Sequence, residues 1–222
     1  MASIDTKQRI LDAAERLFAA HGFAGTSLRA VIKEAGVNLA AVHYHFGTKE
    51  DLLRAVLSRI VVRVNRERLE MLEQVEAAAG EEPPSLEGIL EAYLAPGLRA
   101  VEDLGERGIV ITRFLGRSYT EPTELVQALV REQFEELGQR FTEALGRALP
   151  HLSEAELYWR FKLVVGVMTY IQADAGQSDA YAEDLSDVDG TVRRLVAFLA
   201  AGLRAPVPVP QRRDQRTKGA RS

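Results

Sequence analysis

The sequence predicts an all-α chain, on three observations. Apolar residues recur at helical spacing in segment after segment, no region sustains the period-2 alternation of a half-buried strand, and capping residues with Gly or Pro breaks punctuate the segments. The expected organisation is an N-terminal three-helix unit containing a helix-turn-helix (residues 1–50), a helical body (51–204) entered through a long helix, and a basic disordered tail (205–222).

In chain order, residues 6–21 carry the stripe Ile10, Ala14, Leu17 and Phe18, and Gly22 suits the turn that ends a helix. Lys7 and Arg9 on this helix are candidates for phosphate contacts, or are simply solvated. Leu28, Val31, Ile32 and Ala35 form a second stripe, capped by Thr26 or Ser27 and broken by Gly36. Asn38 caps residues 39–46, a helix of two turns docked through Val42 and Phe46. Isolated helices become marginal only at about 12–15 residues, so its neighbours must hold it.

Thr48 caps the next helix, with Asp51 three residues on, where a capping box usually has Glu. Residues 49–78 contain no Pro or Gly and keep helical spacing from Leu52 to Leu72, a rod of roughly 45 Å that can transmit motion between two regions. Ser85 caps residues 86–103, in which Pro96 and Gly97 predict a kink or a break. Gly105 and Gly108 bracket a turn before a short helix at 109–119. Pro122 then opens a regular stripe from Val126 to Leu149, stopped by Pro150. Ser153 and Glu156 form an S-x-x-E box for a helix to about residue 177 that is apolar on more than one side. Asp187 or Asp189 starts the last helix, with Val192, Leu195, Val196, Leu199 and Leu203. From Pro206 the chain reads P-x-P-x-P and then Arg/Lys-rich, with nothing to build a core.

Charge is distributed unevenly. Residues 1–66 hold ten Lys and Arg against six Asp and Glu, residues 67–204 thirteen against twenty-five, and the tail five against one. The basic end coincides with the helix-turn-helix, as phosphate binding requires. The absence of Cys excludes disulfides, thiolate metal sites and Cys nucleophiles, and fits a reducing cytoplasm. No apolar run approaches the roughly 20 residues of a membrane span, and the N-terminus has no signal-peptide core, so a cytoplasmic protein without a membrane partner is expected.

In a helix-turn-helix the second helix enters the major groove. On the wheel of residues 39–46, Val42, Phe46 and Leu39 share one side and Tyr44 and Ala40 lie opposite, flanked by Ala41 and His43. Small side chains allow close approach to base edges, and Tyr or His can hydrogen-bond phosphates or bases. No Arg on that side makes the bidentate guanine contact, so affinity is expected from phosphates and specificity from apolar contacts, waters and DNA shape.

The run ILDAAERLFAAHGFAGTSLRAVIKEAGVNLAAVHYHFGTKEDLLRAVL, followed by a long helix and an acidic helical bundle, resembles the TetR family of bacterial transcriptional regulators. The resemblance implies a homodimer on a double-stranded operator, usually a repressor, released when a small ligand enters the body, which becomes a ligand-binding and dimerisation domain. It carries DNA-contact positions onto Thr26, Ser27 and Arg29 of the second helix, Asn38, Leu39, Ala40, Ala41, His43 and Tyr44 of the third, and Lys49 beyond it. Leu39 stands where the family often has a polar or basic residue, and His43 where it usually has Tyr. GVNLAAVHYHFGTKE and YWRFKLVVGVMTYIQAD also look like the PsrA-like subgroup, several of whose members respond to lipidic or fatty acyl ligands.

A pocket in a helical bundle needs apolar walls and a few polar groups. The candidates are Tyr93, Leu94, Leu98, Phe114, Leu115, Phe134, Phe141, Phe161, Val165 and Met168, with Arg113, Arg117 or Gln133 to orient a head group. Taken singly, each reads more readily as core than as ligand contact. Embedded arginines favour a small apolar or acyl ligand bearing a carboxylate, although an Arg paired with Glu is just as ordinary. Trp159, Leu163, Val167, Tyr170, Val192, Val196 and Leu199 are candidates for a four-helix interface with a second copy.

An enzyme is disfavoured: His43 and His45 at i, i+2 point to different sides, and no phosphate loop, nucleophile elbow or acid/base pair is present, so no catalytic residue, metal or cofactor is expected. A helical protein-interaction adaptor, or a regulator controlled by a partner protein without a small ligand, is the alternative.

Overall fold

The computed structural model describes residues 2–104, 107–108, 110–111, 114–116, 123–174 and 187–207. The tail from residue 208, Glu121, Pro122, and the candidate head-group residues Arg113 and Arg117 lie outside the described residues. The labelled helices are α1 (Ala2–Gly25), α2 (Leu28–Ala35), α3 (Leu39–Phe46), α4 (Lys49–Ala79), α5 (Leu86–Leu104), α6 (Glu124–Ala148), α7 (Glu154–Asp174) and α8 (Val188–Arg204). The described residues between 107 and 116 are helical too, and no strand occurs among the described residues.

Capping chemistry explains most boundaries. Ser27 accepts from the Ala30 amide at 3.1 Å and Asn38 from the Ala41 amide at 2.9 Å, fixing the starts of α2 and α3. Gly36, at φ 62°, closes α2 with its N–H on the Ile32 and Lys33 carbonyls. Asp187 accepts from the Gly190 amide at 2.8 Å, so it, and not Asp189, starts α8. Gly22, at φ 72° and ψ 175°, leaves the helical region and ends the first helical run of α1 as expected, and a further short helical piece carries α1 on to Gly25. One boundary differs from expectation. α6 begins at Glu124 behind Thr123, whose side chain makes no capping bond. α5 continues through Pro96, although Pro96 lacks the N–H that the Ala92 carbonyl would otherwise receive.

The core forms two clusters. The first packs Ile10 and Phe18 of α1, Val31 of α2, Val42 and Phe46 of α3 and the early turns of α4 against Phe114, Leu115, Val126 and Val130. The second gathers Leu72, Tyr93, Leu94, Phe141, Phe161, Met168, Leu199 and Leu203. α4, of 31 residues, runs through both. Its far half is tied to α6 by Glu76, which receives Arg140 at 3.0 Å and Arg147 at 3.3 Å. Buried Arg160 of α7 pairs with Glu156 at 2.7 Å and donates to the carbonyls of Leu203 and Ala205, both at 2.7 Å, closing the end of α8.

Candidate functional site

Helix α3 is anchored by Val42 and Phe46 and turns the rest of itself outward. Tyr44 is 82% exposed, and Leu39, Ala40 and His43 are exposed beside it, while Ala41 is half-buried. His43 Nδ1 lies 2.8 Å from the Gly47 carbonyl oxygen, which requires the proton on Nδ1. When neutral, its free Nε2 is therefore an acceptor, suited to a base amino group and not to a phosphate. Ser27 and Asn38, expected at DNA, already cap their helices and remain exposed, so their capping oxygens are engaged. Arg29 is exposed. Lys49 places its Nζ 4.1 Å from the centre of the Phe23 ring, at the end of α1.

Thr26 is the exception in this group. It is 2% exposed, its hydroxyl donates to the carbonyls of Leu17 (3.1 Å) and Gly22 (2.8 Å), and its amide bonds Phe23. Its side chain locks α2 onto the bend of α1 and cannot reach a phosphate. Arg9 is likewise engaged, donating to Ala35 O at 2.6 Å and Gly36 O at 3.0 Å at the helix-turn-helix corner.

A cavity of about 60 Å³ lies at the seam of the two clusters. The middle of α4 (Ile60, Val64, Asn65, Arg68) forms one wall, and Tyr93, Gly108, Ile111, Leu115, Phe134, Val165, Met168 and Thr169 close the others. Of the sequence-based candidates, Tyr93, Leu115, Phe134, Val165 and Met168 line it. Leu94, Leu98, Phe114, Phe141 and Phe161 are core instead. Phe141 and Phe161 set their rings edge-on to Tyr93 at 5.3 and 5.2 Å, and Phe114 stacks on Phe18 at 6.3 Å. Gln133 faces a surface groove with Val62 and Glu136, and its backbone carbonyl accepts from Asn65 at 3.0 Å.

The residue that sequence reasoning missed is Arg68. It is 4% exposed, its guanidinium lies 4.4 Å from the centre of the Tyr93 ring, and its Nε donates to the Tyr93 carbonyl at 2.8 Å. The signal was available: Ile60, Val64, Arg68 and Leu72 form one i+4 row, so Arg68 occupies a core position of the stripe. Burial pushes the Tyr93 hydroxyl above the usual phenol range, against the opposing field of Arg68, so it stays protonated.

Ion pairs tie the elements beside the cavity to α1. Glu15 of α1 is 3% exposed and ion-paired to Arg59 of α4 and to Arg107, whose Nε is at 3.1 Å. The bond to Glu15 is the main reason that the Arg107 pKa is raised. A Cβ at Gly108 would overlap the Val101 carbonyl oxygen, so only glycine lets this helical segment lie so close to α5.

On the far side of the body, Trp159 (56%), Leu163, Tyr170 and Phe198 (72%) are exposed, while Val167 and Val196 are half-buried. Val192 and Leu199, expected at a dimer interface, are buried in the chain's own second cluster, because α8 turns that side toward α5. Phe198 takes the outward position instead.

The family model described as bacterial regulatory proteins of the tetR family matches residues 10–56, and that of the tetracyclin repressor-like C-terminal domain matches residues 91–202. The second does not single out the PsrA-like subgroup. The HTH-type transcriptional regulator SrpR of Pseudomonas putida is 43% identical over 54 residues, 24% of this chain and 25% of SrpR. The nicotine-responsive repressor HdnoR of Paenarthrobacter nicotinovorans is 33% identical over 66 residues, 30% of this chain and 34% of HdnoR. The chain thus spans about a quarter to a third of the length of these relatives. Among solved structures, NalD of Pseudomonas aeruginosa, the secondary repressor of the MexAB-OprM multidrug efflux pump, superposes with TM-score 0.59 at 21% identity, covering 90% of this chain and 97% of NalD. A TetR-like regulator from Rhodococcus sp. RHA1 gives TM-score 0.60 at 21% identity, with coverage of 89% and 95%. These two likenesses establish the fold.

Proposed function

The chain belongs to the TetR family of bacterial regulatory proteins, and we propose that it is a cytoplasmic homodimeric repressor that binds a palindromic operator and releases it when a small apolar or acyl ligand enters the body. The family consists of transcriptional regulators and not of enzymes. The observation that carries the proposal is α3: a two-turn helix held by two buried anchors, with an outer side of Leu39, Ala40, His43 and an 82% exposed Tyr44. Tyr44 meets the neighbouring His45 ring edge-on at 5.0 Å and otherwise faces solvent. Ser27, Arg29, Ala41, Asn38 and Lys49 flank it for backbone contacts.

Residues 1–50 form the DNA-reading unit in this proposal, and residues 51–204 the part that senses ligand and dimerises. The exposed rings of Trp159, Tyr170 and Phe198, with Leu163, supply an apolar face for a second copy. Two α3 helices would then stand about 34–36 Å apart, or a multiple of that. The cavity lies against the middle of α4, so a ligand that favours a shifted α4 changes the spacing, with a coupling of about 1–3 kcal/mol.

The test is selection from a random duplex library, followed by fluorescence anisotropy on the enriched sequence over a salt series. A palindromic product, a 2:1 protein-to-duplex ratio and steep salt dependence are expected, with at least tenfold weaker binding by Tyr44→Ala. Enrichment of no sequence, or a monomer in native mass spectrometry, overturns the reading.

A further inference from the structure

Building on the reading of the cavity as the effector site, we propose that it takes a compact apolar monocarboxylate whose carboxylate is held by Arg68. Two arginines are buried among the described residues, and they differ in one respect: Arg160 pairs with Glu156, whereas no carboxylate pairs with Arg68 among the described residues. Arg68 gives Nε to the Tyr93 carbonyl and Nη1 to Asn65 Oδ1 at 3.2 Å. These neutral acceptors and the Tyr93 ring hold the guanidinium in place and leave its charge uncompensated. Nη2 has no acceptor among the described residues, and the second hydrogen of Nη1 lies beside it. That end of the fork is the one that receives a carboxylate through two parallel hydrogen bonds.

The surroundings select the rest of the ligand. Arg68 lines the cavity, and no acidic side chain stands among the described walls, so an incoming anion meets no like charge. Ile60, Val64, Ile111, Leu115, Phe134 and Met168 offer hydrocarbon surface. A volume of about 60 Å³ is well under that of ordinary ligand pockets, roughly 300–1,000 Å³, which favours a short or ring-bearing acid over a long acyl chain. A carboxylate at Arg68 also supplies the missing counter-charge, so binding relieves the cost of a lone buried cation.

The test uses the full chain with phenylacetate and hexanoate, their primary amides as neutral isosteres, and acetate as an anion without an apolar body. Calorimetric titration and thermal unfolding read binding. At least one of the two acids is expected to bind and raise Tm, with its amide at least tenfold weaker and acetate without effect. Arg68→Met is expected to remove the acid-over-amide preference, leave weak amide binding in place, and leave the Tm of the free protein unchanged or higher. Where Arg68→Met does not fold, Arg68→Lys, which keeps the charge without the fork, decides: a reduced acid-over-amide preference with amide binding intact is expected, and acid binding as tight as native overturns the fork-held carboxylate. Equal binding of acid and amide by the native chain, acid binding by Arg68→Met as tight as native, an equal response to acetate, or no binding by either acid overturns the proposal. Operator binding measured in parallel separates the two readings. Acids that bind through Arg68 without changing operator affinity leave the anchor standing and remove ligand release, whereas a neutral compound that releases operator from native and Arg68→Met alike does the reverse.

Discussion

Glu15 and Arg68 are both charged side chains enclosed within the chain, and their surroundings are opposite. Glu15, in the first cluster, is gripped by Arg59 and Arg107 from two different elements, and Phe18 and Phe114 stack one turn away. Arg68, at the seam with the second cluster, has a carbonyl, an amide oxygen and a ring, but no counter-charge among the described residues, and it borders open space. A buried ion surrounded by its counter-ions is a clamp, costly to break. One that faces a cavity with its charge unanswered is available to a ligand. On the proposed function, the same physical feature separates the part of the molecule that keeps its shape from the part that responds to a ligand.

The contrast predicts its largest effect at Glu15. Glu15→Ala is expected to cost about 3 kcal/mol, toward the lower end for a broken buried pair, because half-exposed Arg107 can rehydrate and Arg59 keeps Asp12 at 2.7 Å. In urea unfolding Arg68→Met is expected to shift stability by less than about 1 kcal/mol. Equal losses at the two sites would remove the distinction between clamp and receptor.

A smaller effect is expected at the outward apolar face, which neither charge supports. Phe198→Asp or Trp159→Asp removes an exposed ring from the proposed interface, and loss of about 2 kcal/mol weakens dimerisation roughly 30-fold. Sedimentation over a dilution series reads this directly. Val192→Ala, in the core, is expected instead to lower monomer stability. A dimer unmoved by either Asp variant places the interface elsewhere.

Gly108→Ala probes the link between clamp and cavity. Its Cβ would overlap the Val101 carbonyl, forcing the helical segment that carries Arg107 away from α5. The expected cost is about 1–2 kcal/mol in unfolding, the modest end for overpacking. If the clamp is what couples cavity to DNA, operator affinity falls as well, whereas a stability loss alone would mean that Arg107 follows the shift.

How much of this was legible in the sequence depended on whether local chemistry or tertiary direction decided it. Asn38, Gly36, Thr48 and Asp187 act on amides within four residues, so their roles could be read off the chain. Thr26 could not be read this way: a Thr beside a helix start looks like Ser27, and only the direction in which the chain leaves the break at Gly22 brings the Leu17 and Gly22 carbonyls to its hydroxyl. Val192 and Phe198 show the same limit, since α8 is apolar on more than one side and the stripe alone does not say which side meets α5. Arg68 is hidden in the sequence because the row Ile60, Val64, Leu72 around it reads as the apolar stripe of a rod, and only the packing of Tyr93, Phe134 and Met168 against it makes that row a cavity wall.

The smallest predicted effect comes from a carboxylate at the other limit, on the surface at the start of α4. Asp51 returns the Thr48 cap: Thr48 Oγ accepts from the Asp51 amide at 3.0 Å and donates to Asp51 Oδ2 at 2.7 Å. That hydrogen bond is the main cause holding the Asp51 carboxyl below its usual range, with the Thr48 amide and Arg54 assisting against slight desolvation. A folded-state pKa below the unfolded one means that the stabilisation is present above the ordinary carboxylate range, near pH 4, and is lost as pH falls through the depressed value. The Tm gap between native chain and Asp51→Asn is therefore expected to be small at pH 7 and to close toward pH 3. Asn38→Ala, which removes a neutral cap from α3, is expected to keep its gap of about 1 kcal/mol over the same range. If both gaps close together, acid is loosening the whole helix-turn-helix, and Asp51 is a bystander. If only the Asp51 gap closes, its charge acts locally, with solvent supplying the screening that Glu15 lacks and Arg68 awaits.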